Sequence, residues 1–147
     1  MKKKNRKMRA GFTLIEIMVV VIIIGLMATM LAPRILSRPD EARVTRTRTD
    51  MASISSALKL YRLDNGFYPS TEQGLMALIQ EPSTEPIPMS WKPGGYIEGT
   101  EAPRDPWGRI YMYRNPGEDG SDFQIISYGA DGREGGTDYD ADIFSSN

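Results

Sequence analysis

The stretch Gly11-Phe12-Thr13-Leu14-Ile15-Glu16 decides how the rest of this chain is read. Before it, residues 1–11 carry Lys2, Lys3, Lys4, Arg6, Lys7 and Arg9 and no acid; after it, Ile17 to Ala32 holds no charge at all. Between the two sits one carboxylate, Glu16. An acid in an apolar segment is costly, about 2.5–3.5 kcal/mol for Asp at the centre of an inserted helix and less near an end. Glu16 therefore calls for a partner cation, and no Lys or Arg of the segment supplies one. A cut after Gly11 would create that cation, because the new α-amine of Phe12 would lie one helical turn from Glu16.

Two simpler readings of this N-terminus explain less. A secretory signal ends in a small-x-small cleavage site behind its apolar core. Here the core ends at Met30-Leu31-Ala32-Pro33, with Met where a small residue is needed and proline directly behind. A plain single-pass anchor accounts for the basic flank and a run long enough to cross a bilayer, but not for Gly11 or Glu16. The hexapeptide Gly11 to Glu16 resembles the processing site of type IV pilins and pseudopilins. That resemblance implies a prepilin peptidase that cuts between Gly11 and Phe12 and methylates the new N-terminus on Phe12. Glu16 then pairs with the Phe12 amine of an adjacent copy and sets the register of assembly.

The chain has 147 residues and no cysteine, so no disulfide staples it. Its net charge of −1 is uneven: residues 1–11 contribute +6, leaving −7 over residues 12–147. An acidic body argues against nucleic-acid binding through bulk charge. Without histidine or cysteine, zinc centres and histidine-based triads are unavailable. Three segments follow: a basic leader, 1–11; an apolar transmembrane and polymerisation helix, 12–35; and a globular body, 36–147. Positive flanks stay cytoplasmic, so the body faces the other side; the resemblance implies that this side is the periplasm and that the anchor sits in the inner membrane.

Apolar residues recur past Pro33 at Val44, Met51, Ile54, Leu58 and Tyr61, on one stripe of a helix. The spacing predicts one helix from about residue 12 to Asp64-Asn65-Gly66, where a C-cap signal is followed by Pro69. Gly25 and Pro33 are places for it to curve. Ser70 or Thr71 caps a short helix through Ile79, and the Pro- and Gly-rich residues 81–106 read as an irregular loop. Residues 110–114 and 123–128 read as strands joined by the turn-forming run Asn115 to Gly120. About 80 residues of globular part give a thin core that calls for metal or assembly as support.

Three further blocks narrow the resemblance: Tyr68-Pro69-Ser70-Thr71-Glu72-Gln73-Gly74-Leu75; Asp105-Pro106-Trp107-Gly108 with Tyr111, Tyr113 and Asn115-Pro116-Gly117; and Gly129-Ala130-Asp131-Gly132. In this order they resemble the major pseudopilins of type II secretion, the general secretion pathway protein G family. The resemblance implies a type IV pilin-like α+β fold, a long helix packed on a small antiparallel sheet. It implies a structural subunit, not an enzyme, that polymerises into a pseudopilus driving folded exoproteins across the outer membrane. Its implied partners are further copies, minor pseudopilins, the prepilin peptidase and the inner-membrane assembly platform. A type IV pilus major pilin, serving adhesion, motility or DNA uptake, is the alternative. Many such pilins close a C-terminal loop with a disulfide, which this chain lacks.

Asp131, Glu134, Asp138, Asp140 and Asp142 crowd the C-terminus among Gly129, Gly132, Gly135 and Gly136. Hard oxygens on a flexible loop suit Ca²⁺. Asp138-x-Asp140-x-Asp142 begins like an EF-hand, but Ile143 stands where glycine is required and no twelfth-position Glu follows. From composition alone the run reads as a solvated tail. The family resemblance implies a structural Ca²⁺ instead, with Asp131 and Asp138 as side-chain ligands, Tyr128 giving a carbonyl, and Asp140 and Ile143 as further contributors.

Overall fold

A computed structural model describes residues 12–36 and 38–145; side chains between residues 29 and 38 fall outside the description. The basic leader and Gly11 lie outside the described residues. The chain divides into two compact units, with the boundary between Arg38 and Pro39.

The first unit is helix α1, Leu14–Leu36, which runs through both Gly25 and Pro33. Every described side chain from Leu14 to Ala28 is exposed, although nearly all are apolar. Among the described residues no helix is long and apolar enough to cross a membrane.

The second unit opens with helix α2, Arg38–Asn65. The expected single helix is thus described as two segments, with Ser37 outside the described residues. Pro39 is tolerated in the first turn, where its missing N–H is not needed. Asp40 and Glu41 sit at the positive end of the helix dipole, and Arg62 at the negative end. Gly66 ends the helix with φ +85°, its N–H donating to the Arg62 carbonyl at 2.7 Å. This left-handed closure is open to glycine without steric cost.

Of the predicted stripe, Met51, Ile54, Leu58 and Tyr61 are buried and Val44 packs on their flank. Thr47 extends the stripe. It is fully buried because its Oγ1 donates to the Arg43 carbonyl at 2.9 Å, leaving a methyl-bearing face for the core. The expected helix at 70–79 is a turn followed by a 3₁₀ helix, Gly74–Leu78. Ser70 does not cap the 3₁₀ helix, whose N-cap is Gln73 without a side-chain capping bond; it closes the preceding turn instead, Ser70 N–H donating to Gln73 Oε1 (3.0 Å) and Gln73 N–H to Ser70 Oγ (3.2 Å). Gly74, at φ +59°, stops an α-helix from forming through this segment.

Strands β1, Met112–Arg114, and β2, Gln124–Ser127, form the expected antiparallel hairpin, with Tyr113 opposite Ile125. A third strand, β3, Ile143–Phe144, was not foreseen; it joins the other side of β2 with Ser127 opposite Ile143. Tyr111, Tyr113, Phe123, Ile125 and Ile143 meet the α2 stripe and Leu75 and Leu78 in one core. Residues 81–106 carry no helix or named strand, as expected. Trp91 and Trp107 pack against this core, Trp91 with its indole N–H on the Ala77 carbonyl at 2.9 Å.

Candidate functional site

Two sites concentrate the chain's polar chemistry: the start of α1 and the loop between β2 and β3. At the first, Phe12 is 79% exposed and lies outside the helix. Thr13 N–H donates to Glu16 Oε2 at 3.4 Å, and Glu16 N–H donates to Thr13 Oγ1 at 3.3 Å. This reciprocal pairing is a capping box, in which a Thr and a Glu three residues on satisfy each other's backbone donors. Glu16 therefore has a local partner that the charge pattern alone did not reveal.

The second site is built outward from Asp105. In the turn Asp105-Pro106-Trp107-Gly108, Asp105 Oδ1 accepts from the N–H groups of Trp107 (3.0 Å) and Arg109 (2.9 Å). Its Oδ2 accepts from Ser127 Oγ at 2.7 Å, tying the turn to the end of β2. Asp105 is only 5% exposed, so these donors compensate the burial of its charge. The turn launches Arg109 toward the β2–β3 loop. Its Nη1 and Nη2 donate to the carbonyls of Gly129 and Ala130, both at 2.9 Å. Gly132 takes φ +69°, a left-handed conformation that favours glycine, and a Cβ there would displace the Arg109 side chain that lies over the loop.

The loop then folds on itself. Ala130 N–H donates to the Tyr139 carbonyl (2.9 Å) and Gly132 N–H to the Tyr128 carbonyl (3.0 Å). Asp131 Oδ1 accepts from Arg133 N–H at 3.0 Å, turning the chain locally. Asp138, at φ +55°, starts a 3₁₀ helix, Asp138–Asp140. Asp142 Oδ2 accepts from Gly135 N–H at 2.9 Å, and Asp142 Oδ1 is buried with no hydrogen-bond partner.

The expected calcium donors meet only in part. The bond from Ala130 N–H to the Tyr139 carbonyl ties the limb that carries Tyr128 and Asp131 to the limb that carries Asp138 and Asp140, and Ile143 is fixed in β3 opposite Ser127. Among the described residues no three acidic side chains lie close enough to share a metal. The donor chemistry, carboxylates and main-chain carbonyls on a glycine-rich loop, fits a hard cation. The orphaned Oδ1 of Asp142 is a buried acceptor of the kind such a cation satisfies. Asp142 belongs to the acidic run but lies outside the expected ligand set, and the burial of its Oδ1 is not legible from spacing.

The molecule can be compared with known proteins. Residues 34–146 match the family described as "Type II secretion system (T2SS), protein G", and residues 6–32 match the prokaryotic N-terminal methylation motif. A type II secretion system core protein G from Pseudomonas aeruginosa is 51% identical over 139 residues, covering 95% of this chain and 96% of the relative. The protein of the same name from Vibrio cholerae is 45% identical over 141 residues, covering 96% and 93%. The crystal structure of the major pseudopilin from the type 2 secretion system of enterohaemorrhagic Escherichia coli matches with a TM-score of 0.63 at 40% identity. That match covers 74% of this chain and 90% of the other. With its methylation motif, its helix-on-sheet body and relatives matched over nearly their full length, the chain belongs to the type II secretion system protein G family.

Proposed function

We propose that this chain is a structural subunit, not an enzyme, that polymerises into the type II secretion pseudopilus and so helps drive folded exoproteins across the outer membrane. The observation that carries this reading is the joining, in one chain, of an N-terminal methylation motif to a protein G body. The prepilin peptidase cuts between Gly11 and Phe12 and methylates the Phe12 amine. The apolar segment 12–35 holds the unassembled subunit in the inner membrane with its body in the periplasm, then enters the filament core. The exposed apolar surface of α1 supports this, since an uncovered apolar face of that extent requires lipid or other helices. Glu16 pairs with the Phe12 amine of an adjacent copy. Minor pseudopilins and the inner-membrane platform are its further partners.

Calcium binding at the β2–β3 loop belongs to the same proposal. The Tyr128 carbonyl, Asp131, Asp138, Asp140 and the Ile143 carbonyl would hold the ion, and Asp142 adds a donor. Bound there, Ca²⁺ would screen mutually repelling carboxylates and hold the loop closed on β2. The function is tested by deleting the gene in its own host. Exoproteins should build up in the periplasm, and the wild-type chain, but not Gly11→Val, should restore secretion. N-terminal sequencing of the restored protein should begin at methylated Phe12; a start at Met1 or beyond Ala32 would sink the processing scheme.

A further inference from the structure

Helix α2 treats its hydroxyl side chains in two ways. Thr45, Thr47, Thr49, Ser53 and Ser56 each donate to the carbonyl four residues back, at 2.9–3.2 Å. Ser55 does not. It is 6% exposed, and its Oγ is buried without any hydrogen-bond partner. It lines a cavity of about 330 Å³ together with Arg48, Met51, Ala52, Phe144 and Ser145. Arg48 is also set apart from its neighbours. Arg43 pairs with Asp40 at 2.9 Å and Arg46 with Asp50 at 3.6 Å, whereas Arg48 has no ion-pair partner among the described residues. Phe144, on β3, is 51% exposed beside the same cavity.

We propose that this cavity is a docking socket for a second copy of the chain, which inserts an acidic side chain. The incoming carboxylate pairs with the Arg48 guanidinium and accepts a hydrogen bond from Ser55 Oγ–H. Met51 and Phe144 cover its aliphatic stem. A buried donor without an acceptor and a cation without an anion are both satisfied by one carboxylate. A second copy is the favoured occupant on charge. Residues 12–147 sum to −7, so the surface of another copy offers carboxylates in excess. The socket rests on the reading of the chain as a filament subunit.

The test places photoreactive benzoylphenylalanine at position 144 of the full-length chain, expressed in its own host, and irradiates assembled filaments. Mass spectrometry should map an adduct from position 144 to an Asp- or Glu-bearing peptide of a second copy. Ser55→Ala and Arg48→Gln should each lower adduct yield at least fivefold. The melting temperature of the Ser55→Ala chain in detergent should stay level or rise, because only an unpartnered hydroxyl is removed; a purely structural serine would instead lower it. Filaments lacking that adduct, an adduct to a different protein, or a yield indifferent to both substitutions would overturn the socket alone. A wild-type chain that forms no filaments would overturn the subunit reading and the socket with it.

Discussion

Thr13 and Glu16 cap each other across the first turn of α1, each side chain accepting from the other's backbone N–H. In the proposed assembly this carboxylate would have two roles, closing its own helix and offering charge to the Phe12 amine of an adjacent copy. The roles separate by substitution, because glutamine preserves a capping box and carries no charge. Glu16→Ala should lose both. Glu16→Gln should be processed normally and retain α1, yet assemble as poorly as the alanine variant. Filament yield by electron microscopy decides it; abundant filaments from Glu16→Gln would assign Glu16 to helix capping alone.

Asp105 ties the Asp105-Pro106-Trp107-Gly108 turn to β2 through three donors. Asp105→Ala should strand two N–H groups and the Ser127 hydroxyl, costing at least about 3 kcal/mol. For a domain of this size that lowers Tm by more than about 10 °C. Thermal melts of the full chain in detergent measure it, with the exposed Asp119→Ala as a control expected to change little.

Arg109 reaches from that turn to the carbonyls of Gly129 and Ala130. Arg109→Ala should leave the core intact but loosen the first limb of the β2–β3 loop. Two hydrogen bonds from a charged donor contribute about 2–3 kcal/mol. The Ala130 and Gly132 amides should then exchange with deuterium roughly 30- to 160-fold faster. Arg109→Lys, able to reach one carbonyl, should fall between.

The long-period features of this chain were legible in its sequence, and the short-range exceptions were not. The α2 stripe, its stop at Gly66 and the 112–127 hairpin follow from spacing and turn residues, which act locally. The helix expected at 70–79 failed at Gly74, whose φ of +59° closes a local turn through its N–H on the Ser70 carbonyl and lies outside the α-helical region. Strand β3 is too short, Ile143–Phe144, to leave a period-2 signal. At the candidate sites, the capping box was visible as Thr13 and Glu16 three residues apart, yet the carboxylate was read only for its charge. Arg109 and Asp142 act through partners 20 residues away and through burial, and neither leaves a mark in local composition.

The buried tyrosines make the fold sensitive to alkali. Burial, reinforced by Tyr96, pushes Tyr61 up to about 12, and burial pushes Tyr111 and Tyr113 in the same direction. The neutral phenols are favoured in the folded state. Their contribution is therefore whole below about pH 10, the unfolded value, and drains away as pH rises toward the folded values. Circular dichroism during an alkaline titration should show stability declining from about pH 10 upward, with phenolate absorbance rising together with unfolding. Tyr61→Phe removes an hydroxyl that has no partner and should blunt this decline without loss of stability at neutral pH.

Calcium dependence is the sharpest prediction about the β2–β3 loop. Asp131 and Asp138 lie on the two limbs of a loop pinned by the bond from Ala130 N–H to the Tyr139 carbonyl, and their charges oppose closure unless a cation intervenes. Binding to the folded state alone adds about 2.7 kcal/mol at a hundredfold excess over Kd. Chelation should lower Tm, and hydrogen exchange should rise first between residues 133 and 142, where the Arg109 clamp does not reach. Asp131→Ala or Asp138→Ala should mimic chelation and reduce secretion. Asp142→Asn should weaken the calcium response as well, because its buried Oδ1 would no longer be anionic. Superimposable melts with calcium and with chelator would instead leave the loop fastened by Arg109, the main-chain bonds and the carboxylate bonds of Asp131 and Asp142 without a metal.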